Sequence, residues 1–261
     1  MSFETLLFEV RDNVAYVTLN RPDAANAINL QLAKDLAYAA MQCDEDPNVR
    51  AVVLTGTGKM FCAGGDVRSF SESGDEMPAL LKEITTYLHA AVSRFARMNA
   101  PVIVAVNGTA AGAGFSLACA GDLAVAAESA KFTMAYTRIG LTPDGSSTYY
   151  LPRLLGTRRT LELMLTNRLL TATEAFEWGI LNRVVADEAL AQEAEKLARS
   201  LAEGPTLALG RVKDLILHSD DSLESQMERE TRVIADSART QDAKEGIRAF
   251  LEKRKATFTG R

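Results

Sequence analysis

The sequence predicts an α/β fold of stacked strand-strand-helix turns, followed by a helical C-terminal region. Short β-rich runs such as Val14 to Leu19, Ala51 to Leu54 and Val102 to Val106 are separated by loops and by stretches of helical periodicity. Strands recur in pairs before a helix, which suits stacked turns better than a doubly wound sheet. From Asp187 onward the pattern is almost wholly helical, with breaks at Gly204-Pro205 and at Ser219 to Ser222.

Leu6 to Val10 and Val14 to Leu19 read as a hairpin turning at Arg11-Asp12-Asn13, and Asn29 caps a helix from about Leu30 to Cys43. Ala51 to Leu54 is a buried strand, and Thr55 to Asp66 a glycine-rich loop with no phosphate-binding spacing. A helix from Ala79 to Met98 leads into the apolar strand Val102 to Val106, then to a helix read over Ala110 to Ala120. Strands near Leu123 to Ala126 and Lys131 to Met134 precede a loop from Gly140 to Ser147. Thr171 and Glu174 have capping-box spacing before a short helix ending at Gly179, and Asn182 to Val185 is the last strand. Residues 1–204 form the expected core and residues 205–261 a helical appendage, joined by a linker too short for an independent domain.

The chain has 261 residues, of which 47% are hydrophobic and 24% charged, enough to build a sizeable core and to disfavour disorder. A net charge of −5 argues against nucleic acid or an anionic membrane as partner. The basic run Lys253-Arg254-Lys255 reads as the cationic end of a helix. Cys43, Cys62 and Cys119 are too scattered for a disulfide framework or a zinc site, so a reducing cytoplasm and no bound metal are expected. Met1 to Val10 carries Glu4 and Glu9 and no long apolar run, so no leader is expected, and no segment nears the ~20 apolar residues that span a bilayer.

Gly112-Ala113-Gly114-Phe115-Ser116-Leu117 follows a strand and opens a helix, but Leu117 stands where a dinucleotide fingerprint needs its third glycine. Small residues here serve either tight helix packing or the exposure of backbone N–H groups toward an oxygen that gains negative charge. Ala113 could supply one such donor and the loop at Gly65 a second.

Several segments together resemble the crotonase superfamily, the enoyl-CoA hydratase/isomerase family, in order and spacing. They are Asn20-Arg21-Pro22 with Asn26-Ala27-Ile28-Asn29, Phe61 to Asp66, Pro101 to Gly108 through Gly112-Ala113-Gly114, Leu151-Pro152-Arg153, Ala175 to Val184, and Phe250 to Arg254. The resemblance implies a spiral of strand-strand-helix turns and a helical C-terminal region that builds trimers or dimers of trimers. It also implies an acyl-CoA substrate, with coenzyme A entering as part of that substrate and no permanently bound cofactor. Gly65 and Ala113 match the oxyanion-hole residues. Arg21 to Ala25, including Asp23 and Ala24, match the loop along coenzyme A, Ala63 is expected to bind coenzyme A as well, and Phe250 and Lys253 match residues that approach the nucleotide end.

Where hydratases of this family carry two glutamates, this chain has Ser116 and Tyr136, neither suited to be a base near neutral pH. Asp144, in Leu141-Thr142-Pro143-Asp144-Gly145, remains as acid/base, although Pro-Asp-Gly is also an ordinary turn. Two branches place a working carboxylate there: isomerases of phenylacetyl-CoA-derived thioesters, and 4-chlorobenzoyl-CoA dehalogenase, where it is the nucleophile. His89 falls where the dehalogenase has its general-base histidine and Tyr136 where it has a tryptophan, while Glu162 to Arg168 also looks like its sequence. His218 is assigned no role. The expected activity is isomerisation through an enolate. The alternatives are dehalogenation or hydrolysis with Asp144 and His89, plain hydration, and a non-enzymatic acyl-CoA-binding scaffold.

Overall fold

The computed structural model describes residues 3–261; Met1 and Ser2, part of the stretch read for a leader, lie outside them. The chain runs through β1 (Leu6–Arg11), β2 (Val14–Leu19), α1 (Leu30–Glu45), β3 (Ala51–Gly56), β4 (Met60–Cys62), α2 (Val67–Glu72) and α3 (Met77–Arg97). It continues with β5 (Val102–Val106), β6 (Thr109–Ala111), α4 (Ala113–Cys119), β7 (Leu123–Ala127), β8 (Lys131–Thr133), α5 (Ser147–Leu155) and α6 (Thr157–Thr166). The last elements are β9 (Leu170–Thr171), α7 (Ala172–Glu177), β10 (Arg183–Val185), α8 (Leu190–Ala202), α9 (Thr206–Leu217), α10 (Leu223–Ser237) and α11 (Gln241–Leu251).

The pairs β3–β4, β5–β6 and β7–β8 each give one strand to each of two sheets, whereas β1 and β2 both join the larger. The larger has the order β1-β2-β3-β5-β7-β10 and the smaller β4-β6-β8-β9. Only the β1–β2 and β8–β9 pairs are antiparallel. Central strands are buried on both faces, as parallel strands under helices must be. In β5, Val102, Val104 and Val106 point into the core that also holds Phe61, Phe115 and Phe132, whereas Ile103 and Ala105 meet α8. That helix presents Leu190, Ala194, Ala198 and Ala202 at every fourth position, so small side chains let it lie close to the sheet.

Sequence and structure part at identifiable places. The helix read over Ala110 to Ala120 is two elements, because Gly112 with φ +51° turns the end of β6 into the start of α4. Within the glycine-rich loop, Met60–Cys62 is the strand β4, whose hydrogen bonds lie with the distant β6. Helices α5 and α6 were not expected, and Pro152 lies inside α5. Residues 252–261 leave the helix and return as an extended tail, whose Thr259 and Gly260 N–H groups donate to buried Asp242. Arg254 and Lys255 pair with Glu245 and Glu203. The capping box at Thr171 is present, and Cys43, Cys62 and Cys119 are free, buried thiols. Among the described residues no helix is long and apolar enough to cross a membrane.

Helix α9 is tied to the core by Lys213. Its ammonium donates to Phe95 O and Ala100 O at 2.9 Å and pairs with Asp122 at 2.8 Å. Burial lowers the lysine's pKa and raises the aspartate's, each opposed by the other's charge. Desolvation offsets much of such a pair's attraction, but removing either partner would leave an uncompensated buried charge.

Candidate active site

The site forms where the loop after β4 meets the turn between β6 and α4. Ile28 runs beside the first loop: its N–H donates to Gly64 O at 2.7 Å, and its carbonyl accepts from Asp66 N at 3.0 Å. Ala63 N donates to Ala25 O at 3.0 Å. These bonds use the backbone groups on either side of Gly65 and leave its own N–H without an acceptor among the described residues. Asn26, fully buried, fixes the neighbouring loop by accepting from Arg21 N and donating to Thr57 O and Met60 O. Arg21 Nη2 then reaches Asp66 Oδ2 at 2.9 Å, while Asp66 Oδ1 caps α2.

On the opposite side, α4 starts at Ala113, whose N–H also has no acceptor among the described residues. Close approach explains the glycines. A Cβ on Gly64 (φ +95°) would lie 2.7 Å from Ala111 O and 3.3 Å from Ala113 N, and one on Gly114 would run into Cys62 O. The Gly-Ala-Gly run therefore serves loop approach and helix packing, not a dinucleotide.

Gly65 and Ala113 line a cavity of about 460 Å³ with Ala63, Tyr136 and Asp144, enclosed by apolar side chains including Ile28, Phe70, Ile84 and Leu88. The stretch Arg68 to Pro78 contributes only Phe70 to the cavity. Helix α3 supplies Leu81, Ile84, Thr85 and Leu88 instead, at the spacing of one helix face.

Asp144 is held by an unusual number of donors. Its main-chain carbonyl accepts from Ser116 Oγ at 2.6 Å, Tyr136 Oη at 3.2 Å and Ser147 Oγ at 3.1 Å. Its carboxylate Oδ1 takes the N–H of Gly145, which has φ +65°, and His89 Nε2 at 2.5 Å. Oδ2 has no donor among the described residues. Burial pushes the Tyr136 phenol above its usual pKa, so it serves as a donor and not as a base.

The structure thus gathers Gly65, Ala63, Ala113, Tyr136 and Asp144 about one cavity and bonds His89 to Asp144 from outside it. The Arg21 to Ala25 loop, with Asp23 and Ala24 in a short helical turn, adjoins through Ala25 O. Phe250, 83% exposed, and Lys253 do not line the cavity. The roles of Ser147, Asn26 and the Arg21–Asp66 pair were missed in the sequence, where each looked like ordinary loop chemistry.

Hydration of crotonyl-CoA is expected to stay below about 10 per second, an ordinary enzyme rate, because the glutamate positions hold hydroxyls engaged with Asp144. Sequence alone suggests restoring hydration with glutamates at 116 and 136. The structure alters that expectation: Ser116 is fully buried and its hydroxyl is bonded to Asp144 O, so Ser116→Glu should dislodge the loop and lower all activity. A double glutamate variant that hydrates crotonyl-CoA quickly would refute this.

A profile described as enoyl-CoA hydratase/isomerase matches residues 9–261. The chain is 41% identical over 261 residues to a 1,2-epoxyphenylacetyl-CoA isomerase of Escherichia coli K12, covering 99% of both chains. It is 37% identical over 247 residues to 4-chlorobenzoyl coenzyme A dehalogenase-2 of an Arthrobacter species, covering 94% of this chain and 90% of that one. A crystal structure of an enoyl-CoA hydratase from Polaromonas sp. JS666 superposes with a TM-score of 0.93 at 31% identity, covering 97% of this chain and 99% of the other. With nearly the whole chain matched in sequence and in shape, the protein belongs to the enoyl-CoA hydratase/isomerase family and is an enzyme of the crotonase superfamily.

Proposed function

We propose that this enzyme isomerises an enoyl- or ring-type acyl-CoA through a thioester enolate, with Asp144 moving the proton. The observation that carries the reading is a single carboxylate in the same largely apolar cavity as two backbone N–H groups, with its Oδ2 and both N–H groups lacking partners among the described residues. Those donors lower the cost of enolate formation by stabilising charge on the thioester oxygen. One acid/base group then suffices, because no water has to add. The similarity to the epoxyphenylacetyl-CoA isomerase points the same way. Coenzyme A enters as part of the substrate, along the Arg21 to Ala25 loop, with Phe250 and Lys253 approaching its nucleotide end.

A second reading, nucleophilic dehalogenation or hydrolysis, is favoured by one observation: His89 touches Asp144, where it could activate water against an aspartyl ester. A panel of aliphatic, cyclic and aromatic acyl-CoAs, followed by mass, separates the readings. Isomerisation leaves the mass unchanged, whereas hydration, hydrolysis or halide loss shifts it.

The enzyme assembles as a homotrimer or a dimer of trimers through α9 to α11. Supporting this, α10 has no buried residue although it carries Leu223, Met227 and Ile234, and Ile216, Ile247 and Phe250 are also exposed. Light scattering should give a multiple of the 28.2 kDa chain mass; a monomer at working concentration would sink the assembly.

A further inference from the structure

Asp144 stands in the wall between two cavities. The first holds the oxyanion donors. The second, of about 470 Å³, is lined by His89, Ser93 and Arg97 from α3, Thr148 and Tyr149 from α5, and Ser146. Asp144 borders both, but His89 borders only the second. Leu88 and Leu141 line the first cavity, which also holds Lys82 and Arg138, while Ser93, Arg97, Ser146, Thr148 and Tyr149 give the second cavity hydrogen-bonding groups that suit water. An ionised carboxylate can only accept, so His89 Nε2 carries the hydrogen it shares with Oδ1. With Gly145 N–H on the same atom, both acceptor positions of Oδ1 are taken.

We propose that His89 is a positioning residue that plugs the passage from the second cavity to Asp144, so that the proton in transit is kept from solvent. The inference rests on the isomerase reading. Asp144 Oδ2 takes a proton from the α-carbon; the C–H electron pair enters the thioester as an enolate whose oxygen faces the N–H groups of Gly65 and Ala113. The enolate then reprotonates at its γ-carbon from the same Oδ2, shifting the double bond and restoring the carboxylate. His89 keeps its own proton throughout. A water reaching the protonated carboxyl would exchange that hydrogen before it returned, and exclusion of water is what prevents such leakage.

The test is isomerisation of a β,γ-unsaturated hexenoyl-CoA in deuterium oxide, stopped at low conversion, with product deuterium read by mass. The wild type should incorporate solvent deuterium in a minority of product molecules. His89→Ala opens the wall and should raise that fraction at least about threefold, whereas His89→Gln, which keeps an N–H for Oδ1, should remain near the wild type. The fraction is counted per turnover, so a slower variant still reports it, and His89→Ser is a second variant of the same kind should the alanine protein not fold. Wholly deuterated wild-type product, or a fraction unmoved in His89→Ala and His89→Ser, overturns the plug and leaves the isomerase standing. If the wild type isomerises neither this thioester nor any other of the panel, the functional reading falls first and the plug with it.

Discussion

Asp144→Asn should lower turnover of the enzyme's substrate by about 10²–10⁴-fold, the usual contribution of a positioned acid/base group, while thioester affinity changes only a few-fold. The reasoning is geometric. Asparagine keeps the volume, and the donors to the Asp144 carbonyl, Ser116, Tyr136 and Ser147, hold the loop through the main chain and are untouched. What disappears is the oxygen that accepts the substrate's proton. The same substitution would silence a nucleophilic enzyme, so the two chemistries are told apart by one turnover of the wild type in heavy-oxygen water. The isomerase leaves the Asp144 carboxylate unlabelled, and an aspartyl ester opened by water labels it. Full activity in Asp144→Asn would remove both mechanisms and leave the residue as a turn former.

The stacked turns were legible because their strands are short apolar runs and their signals are local. Val102 to Val106 reads as a strand from five letters, and Asn29 and Thr171 announce their helices by capping chemistry. Strands β4 and β6 were not legible, since three residues at each site gain strand geometry by pairing across the fold, β4 with β6 and β6 also with β8. Asp144 could be reached through the resemblance, which puts Ser116 and Tyr136 at the glutamate positions and a working carboxylate at its own, and the candidate oxyanion donors by matched position. The pairing of Asp144 with His89 is offered only by the resemblance to the dehalogenase branch, because residues 55 apart in sequence meet through packing of α3 against the Pro143 loop. The clamp on the Asp144 carbonyl was not legible: at the level of letters Ser116 and Tyr136 read as a loss of chemistry, and in space they become donors that fix the remaining carboxylate.

Removing one oxyanion donor should cost nearly as much as removing the carboxylate. Ala113 is the first residue of α4, the one helical position where proline is tolerated because its N–H has no intrahelical partner. Gly112 before it has φ +51°, a conformation that already requires glycine, so the sequence preceding a proline is as permissive as it can be. Ala113→Pro therefore deletes the N–H and puts a ring carbon near where the thioester oxygen would sit, with little demand on the helix. Turnover should fall about 10²–10³-fold, the measured scale for one such donor, and the melting temperature should shift far less than it would for proline in a helix interior. Ala113→Gly supplies the control, because it keeps the donor and should keep most of the rate. Should Ala113→Pro turn over its thioester as fast as Ala113→Gly, the charge on the enolate is being stabilised elsewhere, and the pairing of Gly65 with Ala113 as the oxyanion site is wrong.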